Sequence, residues 1–206
     1  NARLQYWSLV DMPIYYFINF RESHLLDFMM QSLWNETQYN PLGQRHYSNT
    51  PYLLGEGQAM MYSYVPRTEV HRKIPGLPFG RVPFNYLRDN MVKTLDEKDV
   101  EFDFMLQLQT DPHAMPIENA AVRWPEELSP FIPAAKIRIP RQKFDSPARF
   151  EFARTLRINP WQGLKEHRPL GNQNRARKRM YYELSALRMK MNDVSHEEPD
   201  GTEVFD

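Results

Sequence analysis

Cysteine is absent from all 206 residues, which excludes disulfides, thiolate metal sites and cysteine nucleophiles. Net charge is absent too: 26 Lys and Arg balance 26 Asp and Glu, so no overall field draws nucleic acid or an anionic membrane. No apolar run approaches the roughly 20 residues that a membrane span requires, and the opening "NARLQYWSLV" lacks the charged region and cleavage pattern of a signal peptide. The chain therefore reads as soluble, with no membrane span. None of the six histidines stands beside a second His or a carboxylate at a zinc-binding helical spacing, and no internal repeat is visible. An initiating Met is also missing. The chain opens on Tyr6, Trp7, Leu9 and Val10, a segment with the look of mid-strand, so further sequence is expected upstream.

What is present is bulky apolar material, with four Trp, eleven Tyr and twelve Phe, enough for the core of one globular domain. Residues 4–18 are aromatic and β-branched around a proline and predict two short strands or a strand and a bend. A helix is expected from Ser23 through Leu33. Residues 50–65 predict a hairpin, because "TPYLL" and "AMMYSYV" flank Gly55, Glu56 and Gly57. A Pro- and Gly-rich excursion follows, with His71 expected to face solvent, then a helix over 84–95. "VEFDFMLQLQ" alternates, placing Phe102, Phe104, Leu106 and Leu108 on a buried face and Asp103 and Gln107 on a polar one. "AAKIRIP" repeats the pattern with Ala135, Ile137 and Ile139 inward. Ser146 and Pro147 resemble a cap and first helical residue before "ARFEFARTL". The last helix is expected from about Asn174, with Met180, Leu184, Leu187 and Met191 along one side. With no βαβ rhythm, the fold class is α+β. Residues 1–192 read as one domain and the acidic 193–206 as a flexible tail.

The chemically suggestive stretch is "NRARKRMYYEL", residues 174–184. On a helix Arg177 and Tyr181 share a face, where a guanidinium is able to donate to a phenol oxygen. A free phenol ionises near pH ~10, and both a neighbouring cation and a hydrogen bond favour phenolate. Phenolate is a ligand suited to ferric iron, and tyrosinate is one of the proximal ligands by which proteins hold haem. The same spacing also serves a plain surface stacking pair, and the basic run also serves as a solvated helix face. Spacing leaves these readings open.

Longer strings narrow them. "FDFMLQLQTDPHAMPIENAAVRWPEELSPFIPAAKIRIPRQKFDSPARFEF" and "NPWQGLKEHRPLGNQNRARKRMYYELSALR" resemble the C-terminal portion of the small catalase-related haem proteins, whose pattern runs close to NPWH, EHRPLG, NRAR and a tyrosine. "VDMPIYYFINF" and "YSNTPYLLGEG" are similar to further segments of that family. The resemblance implies the second half of a catalase-like antiparallel β-barrel with flanking helices around haem b. It implies Tyr181 as the iron ligand, with Tyr182 as the other register, and Arg177 as its partner. The implied activity is breakdown or rearrangement of hydrogen peroxide or an organic (lipid) hydroperoxide.

Departures from the family pattern are equally specific. The family's distal histidine falls upstream of this chain, and its distal asparagine aligns with Asp11, where a carboxylate offers acid or base chemistry if an apolar pocket raises its pKa. Tyr15 and Tyr16 stand in place of a Phe pair near the haem, and Gln162 in place of the His of NPWH. Trp161 is expected to fill core volume and Glu166 to pair with an Arg. Half a barrel leaves strand edges open, so an upstream segment or another chain is expected to complete it. A degenerate domain retained as a structural or interaction subunit is the alternative these departures imply, and nucleic acid is not an expected partner.

Overall fold

The computed structural model describes residues 38–76, 80–203 and 205, with Leu25, Leu26, Met29 and Leu33 upstream. The chain divides into two compact units, Asn1–Gln38 and Tyr39–Asp206. In the first, Leu25, Leu26, Met29 and Leu33 are helical, within the helix expected there; the strands expected over 4–18, with Asp11, Tyr15 and Tyr16, lie outside the described residues.

The second unit holds five strands: β1 (His46–Tyr47), β2 (Tyr52–Leu53), β3 (Ala59–Pro66), β4 (Val100–Leu108) and β5 (Ile132–Ile139). Its helices are α1 (Tyr86–Glu97), α2 (Pro147–Thr155) and α3 (Gly171–Asn192). All strand pairs are antiparallel, in the order β1-β3-β4-β5, with β2 also against β3. The expected hairpin forms between β2 and β3. Gly55 and Gly57 adopt φ of 69° and 79°, a conformation that costs any residue with a Cβ, and Leu54 N donates to Gln58 O at 2.8 Å.

Alternation in β3 and β4 sets two faces. Phe102 packs with Tyr64, Val100, Leu95, Leu42 and Val70 under α1. Asn40, Asn90 and Thr94 stitch that side together: Asn40 Nδ2 donates to Thr94 Oγ1 (3.0 Å) and Asn90 O (3.2 Å), while Asn90 Nδ2 reaches Tyr39 O at 2.8 Å. The opposite face, expected to be polar and wet, is also buried. The connection from β4 to β5 folds back across it, bringing Met115 and Trp124 onto Ala59, and Gln107 Nε2 donates to Ser129 O (2.9 Å) and Trp124 O (3.2 Å). Gln107 is thus the polar residue that satisfies loop carbonyls in a dry layer. Asp103, further along the same strand, is also buried and pairs with Arg67.

On β5 the expected inward set is corrected. Ile137 and Ile139 are half-buried against the cluster under α1, but Ala135 and the residues before it are exposed. This strand is an edge, and no described element covers its first half. The helix cap is as expected: Ser146 Oγ accepts from Arg149 N at 3.3 Å and Pro147 begins α2. His71 keeps 38% of its side chain exposed, as expected, and its ring stands 3.0 Å from Glu97. Among the described residues no helix is long and apolar enough to cross a membrane.

Tyr62 sits in an aromatic ladder with Tyr52 (5.1 Å between rings), Tyr64 and Phe104 (both 5.5 Å). Burial, then the hydrogen bond and proximity of Tyr52, push its hydroxyl well above the ordinary tyrosine range. A proton held more tightly in the folded chain gives stability that is complete below the unfolded pKa near ~10 and is lost as pH rises beyond it. Urea midpoints measured from pH 9 to 11 are therefore expected to fall less steeply for Tyr62→Phe than for the wild type. Equal slopes would show that this hydroxyl is not the group that titrates.

Candidate functional site

The site is assembled around the N-terminal half of α3. After α2, the turn of "NPWQG" is self-capped: Asn159 Oδ1 accepts from Trp161 N at 3.0 Å, and Gln162 Oε1 accepts from Asn159 N at 2.9 Å. "EHRPLG" then runs beside the β2 hairpin as an extra lateral partner. Gly55 N donates to Glu166 O (3.0 Å), Leu53 N to Arg168 O (2.9 Å) and Leu170 N to Pro51 O (3.0 Å). Glu166 acts through this backbone carbonyl, and its exposed side chain forms no ion pair among the described residues, contrary to the expected Arg partner.

Asn174 is the hub. It is fully buried, its Nδ2 donates to Leu170 O (2.8 Å) and Pro51 O (3.1 Å), and its backbone oxygen accepts from Trp161 Nε1 at 2.9 Å. Its Oδ1 accepts from Thr50 Oγ1 at 3.3 Å and from Arg177 at 3.4 Å. Trp161, expected as core volume, is thus also a donor that locks the loop to the helix. Neither Thr50 nor Asn174 stood out in the sequence as more than part of a longer string. An amide three to four residues inside a helix preceded by a glycine was the available signal.

Arg177 turns toward this hub: it donates to Thr50 Oγ1 at 3.3 Å and to Asn174, and no hydrogen bond joins it to Tyr181. Tyr181 stands one turn on, 39% exposed, and its hydroxyl has no hydrogen-bond partner among the described residues. It lines an open depression of about 300 Å³ with Ala153, Leu156, Ile158, Leu184 and Arg188. Arg188 stands at its rim and donates to Leu156 O. Tyr182 lies on another side of the helix, in a cationic concavity, with the Arg157 guanidinium 5.2 Å over its ring.

The buried side of α3 is Gly171, Asn174 and Met189, whereas the stripe Met180, Leu184, Leu187 and Met191 faces outward. Among the described residues no group of three or more His, Asp or Glu is placed to hold a metal ion. Beyond α3 the acidic tail lies against α2: Glu197 N donates to Thr155 O at 3.3 Å, and Phe205 packs 5.2 Å from the Phe152 ring.

The sequence matches no protein-family model and no curated protein. Among solved structures it is similar to a fungal catalase, with a TM-score of 0.58 and 12% identity over 76% of this chain and 33% of that one. A bacterial catalase gives a TM-score of 0.54 and 12% identity, over 82% of this chain and 37% of that one. The chain spans about a third of the length of these structures. At this identity the likeness concerns the fold, and with the open antiparallel sheet and three flanking helices it makes the architecture α+β, part of a catalase-like barrel.

Proposed function

We propose that this chain supplies the proximal side of a haem site in a protein that breaks down or rearranges hydrogen peroxide or an organic hydroperoxide. The observation that carries the reading is an unpartnered phenol beside an apolar hollow: Tyr181 has no hydrogen-bond partner among the described residues, and Leu156, Ile158 and Leu184 line the depression it enters. That donor set fits haem b. Tyr181 would hold the iron, the aliphatic side chains would lie along the macrocycle, and Arg188 would stand where a propionate carboxylate needs a cation. Bound there, the haem would supply the iron that meets the O–O bond.

The chain's own part is to fix the helix that carries Tyr181: Thr50 and Asn174 hold the Arg177 guanidinium in place one turn earlier. Asp11 is proposed as the distal proton carrier and Tyr16 as a ring against the haem, both outside the described residues. An upstream segment or another chain would close the barrel over the site.

Haem titration followed by optical spectroscopy tests the assignment. The wild type is expected to give a ferric tyrosinate spectrum at one haem per chain, Tyr181→Phe to lose it and Tyr182→Phe to retain it. An unchanged spectrum in Tyr181→Phe would reject the ligand. A second reading, a catalase-like domain kept as an interaction subunit, is favoured by the exposed edge of β5 and the outward apolar stripe of α3. Absence of haem uptake by the complete assembly would select it.

A further inference from the structure

A second hollow lies on the other side of α3, and its chemistry is unlike that of the Tyr181 depression. It is an open concavity of about 460 Å³ between the 157–162 segment and the helix, with Arg157, Lys178 and Arg179 in its walls beside the rings of Trp161 and Tyr182. This volume is in the range of pockets that take small organic ligands. A fourth cation, Arg175, is already neutralised: its two terminal nitrogens reach Glu118 at 2.9 and 2.8 Å, which holds that carboxyl below its usual range.

The other three cations form no ion pair among the described residues. Arg157 Nε is buried without a hydrogen-bond partner, and another of its nitrogens meets only the sulfur of Met189 at 3.9 Å. Its guanidinium lies over Tyr182, while Lys178 Nζ sits 4.6 Å over the Trp161 ring. One carboxylate, Glu198 from the C-terminal tail, lines the hollow, and it is shared between His196 Nε2 (2.6 Å) and Gln162 Nε2 (3.1 Å).

We propose that this hollow binds a small phosphate-bearing anion. Three cations without ion pairs line one concavity, and like charges gathered there repel one another. A phosphate group relieves this, because it carries more than one charge and several acceptor oxygens that fork-shaped and point-like cations approach from different directions. A single carboxylate offers too few oxygens for three cations. A nucleic acid needs basic residues strung along a groove, whereas these are gathered in one hollow of a chain with no net charge. Glu198 lines the hollow with a negative charge that repels an incoming anion, so the tail lowers the affinity.

Isothermal titration of the full chain, without haem, tests this with inorganic pyrophosphate and with adenosine monophosphate at low salt. Pyrophosphate is expected to bind, and Lys178→Gln and Arg157→Gln are expected to weaken it by about tenfold each. Glu198→Gln is expected to tighten it several-fold, a gain that misfolding cannot mimic. Lys190→Gln, outside the hollow, is expected to change nothing. Tighter binding of the nucleotide would identify a nucleoside phosphate as the source, and equal or weaker binding an inorganic one. The proposal is overturned if neither probe binds, if Lys190→Gln weakens binding as much as Lys178→Gln, or if only an oligonucleotide binds with affinity that grows with its length.

Discussion

Asn174→Ala is expected to lower the free energy of unfolding by about 3 kcal/mol, because one buried side chain serves four partners at once. Its amide satisfies the carbonyls of Pro51 and Leu170, and its oxygen receives Thr50 and Arg177. Truncation removes one hydrogen bond from each of two carbonyls, a hydroxyl and a guanidinium; Pro51 O keeps Leu170 N, and Thr50 keeps Ser48 O and Arg177, so each loss costs about 0.5–1.5 kcal/mol, with incomplete additivity. Asn174→Asp is the informative companion. It keeps the acceptor but turns a carboxylate oxygen toward two carbonyl oxygens, so it should be at least as damaging despite the nearly unchanged volume. Thr50→Val removes only the hydroxyl and is expected to cost about 1 kcal/mol. Urea denaturation of the three variants separates the outcomes. A mild Asn174→Asp would show that volume, not hydrogen bonding, fixes this end of α3. The node lies two turns before Tyr181, so it also sets how far along the hairpin that phenol stands.

The parts of the fold that were legible in the sequence carry their signals locally. Gly55, Glu56 and Gly57 announce a turn because only glycine accepts the required φ cheaply, and Ser146 with Pro147 announces a helix start because both act on their own next residues. The missed parts depend on what arrives from elsewhere. Alternation in β4 gives the faces correctly, but whether the Gln107 face is wet depends on a loop that returns with Met115 and Trp124. Ala135 alternates like an inward residue, yet β5 is an edge with nothing described over its first half. On α3 the apolar stripe is the natural candidate for the buried side, but Gly171, Asn174 and Met189 face inward because the hub and close backbone approach outweigh apolar area there. Thr50 and Asn174 are 124 residues apart, so no spacing rule joins them. The Arg177 and Tyr181 spacing did place both on α3, but the spacing could not reveal that the guanidinium has other acceptors.

Gly171→Ala should be about as damaging as the loss of Asn174, at roughly 3 kcal/mol, for two separable reasons. The first is conformational: φ at this position is 84°, where a Cβ costs about 1–2 kcal/mol. The second is steric, since a Cβ there would stand 2.5 Å from the carbonyl oxygen of Ile117, which is backbone and cannot swing aside. Two other glycines divide the effect. Gly55 shares the positive φ, at 69°, but has nothing within 4 Å of a built Cβ, so Gly55→Ala reports the conformational part alone, about 1 kcal/mol. Gly163 has neither constraint, and Gly163→Ala is expected to be neutral within about 0.5 kcal/mol. Thermal or urea unfolding of the three should rank them in that order. Equal losses at Gly171 and Gly55 would mean that the Ile117 carbonyl yields. The double variant Gly171→Ala with Asn174→Ala is expected to lose less than the sum of its parts, because both changes release the same first turn of α3 from the Pro51 and Ile117 backbones, and a turn already detached has little more to lose.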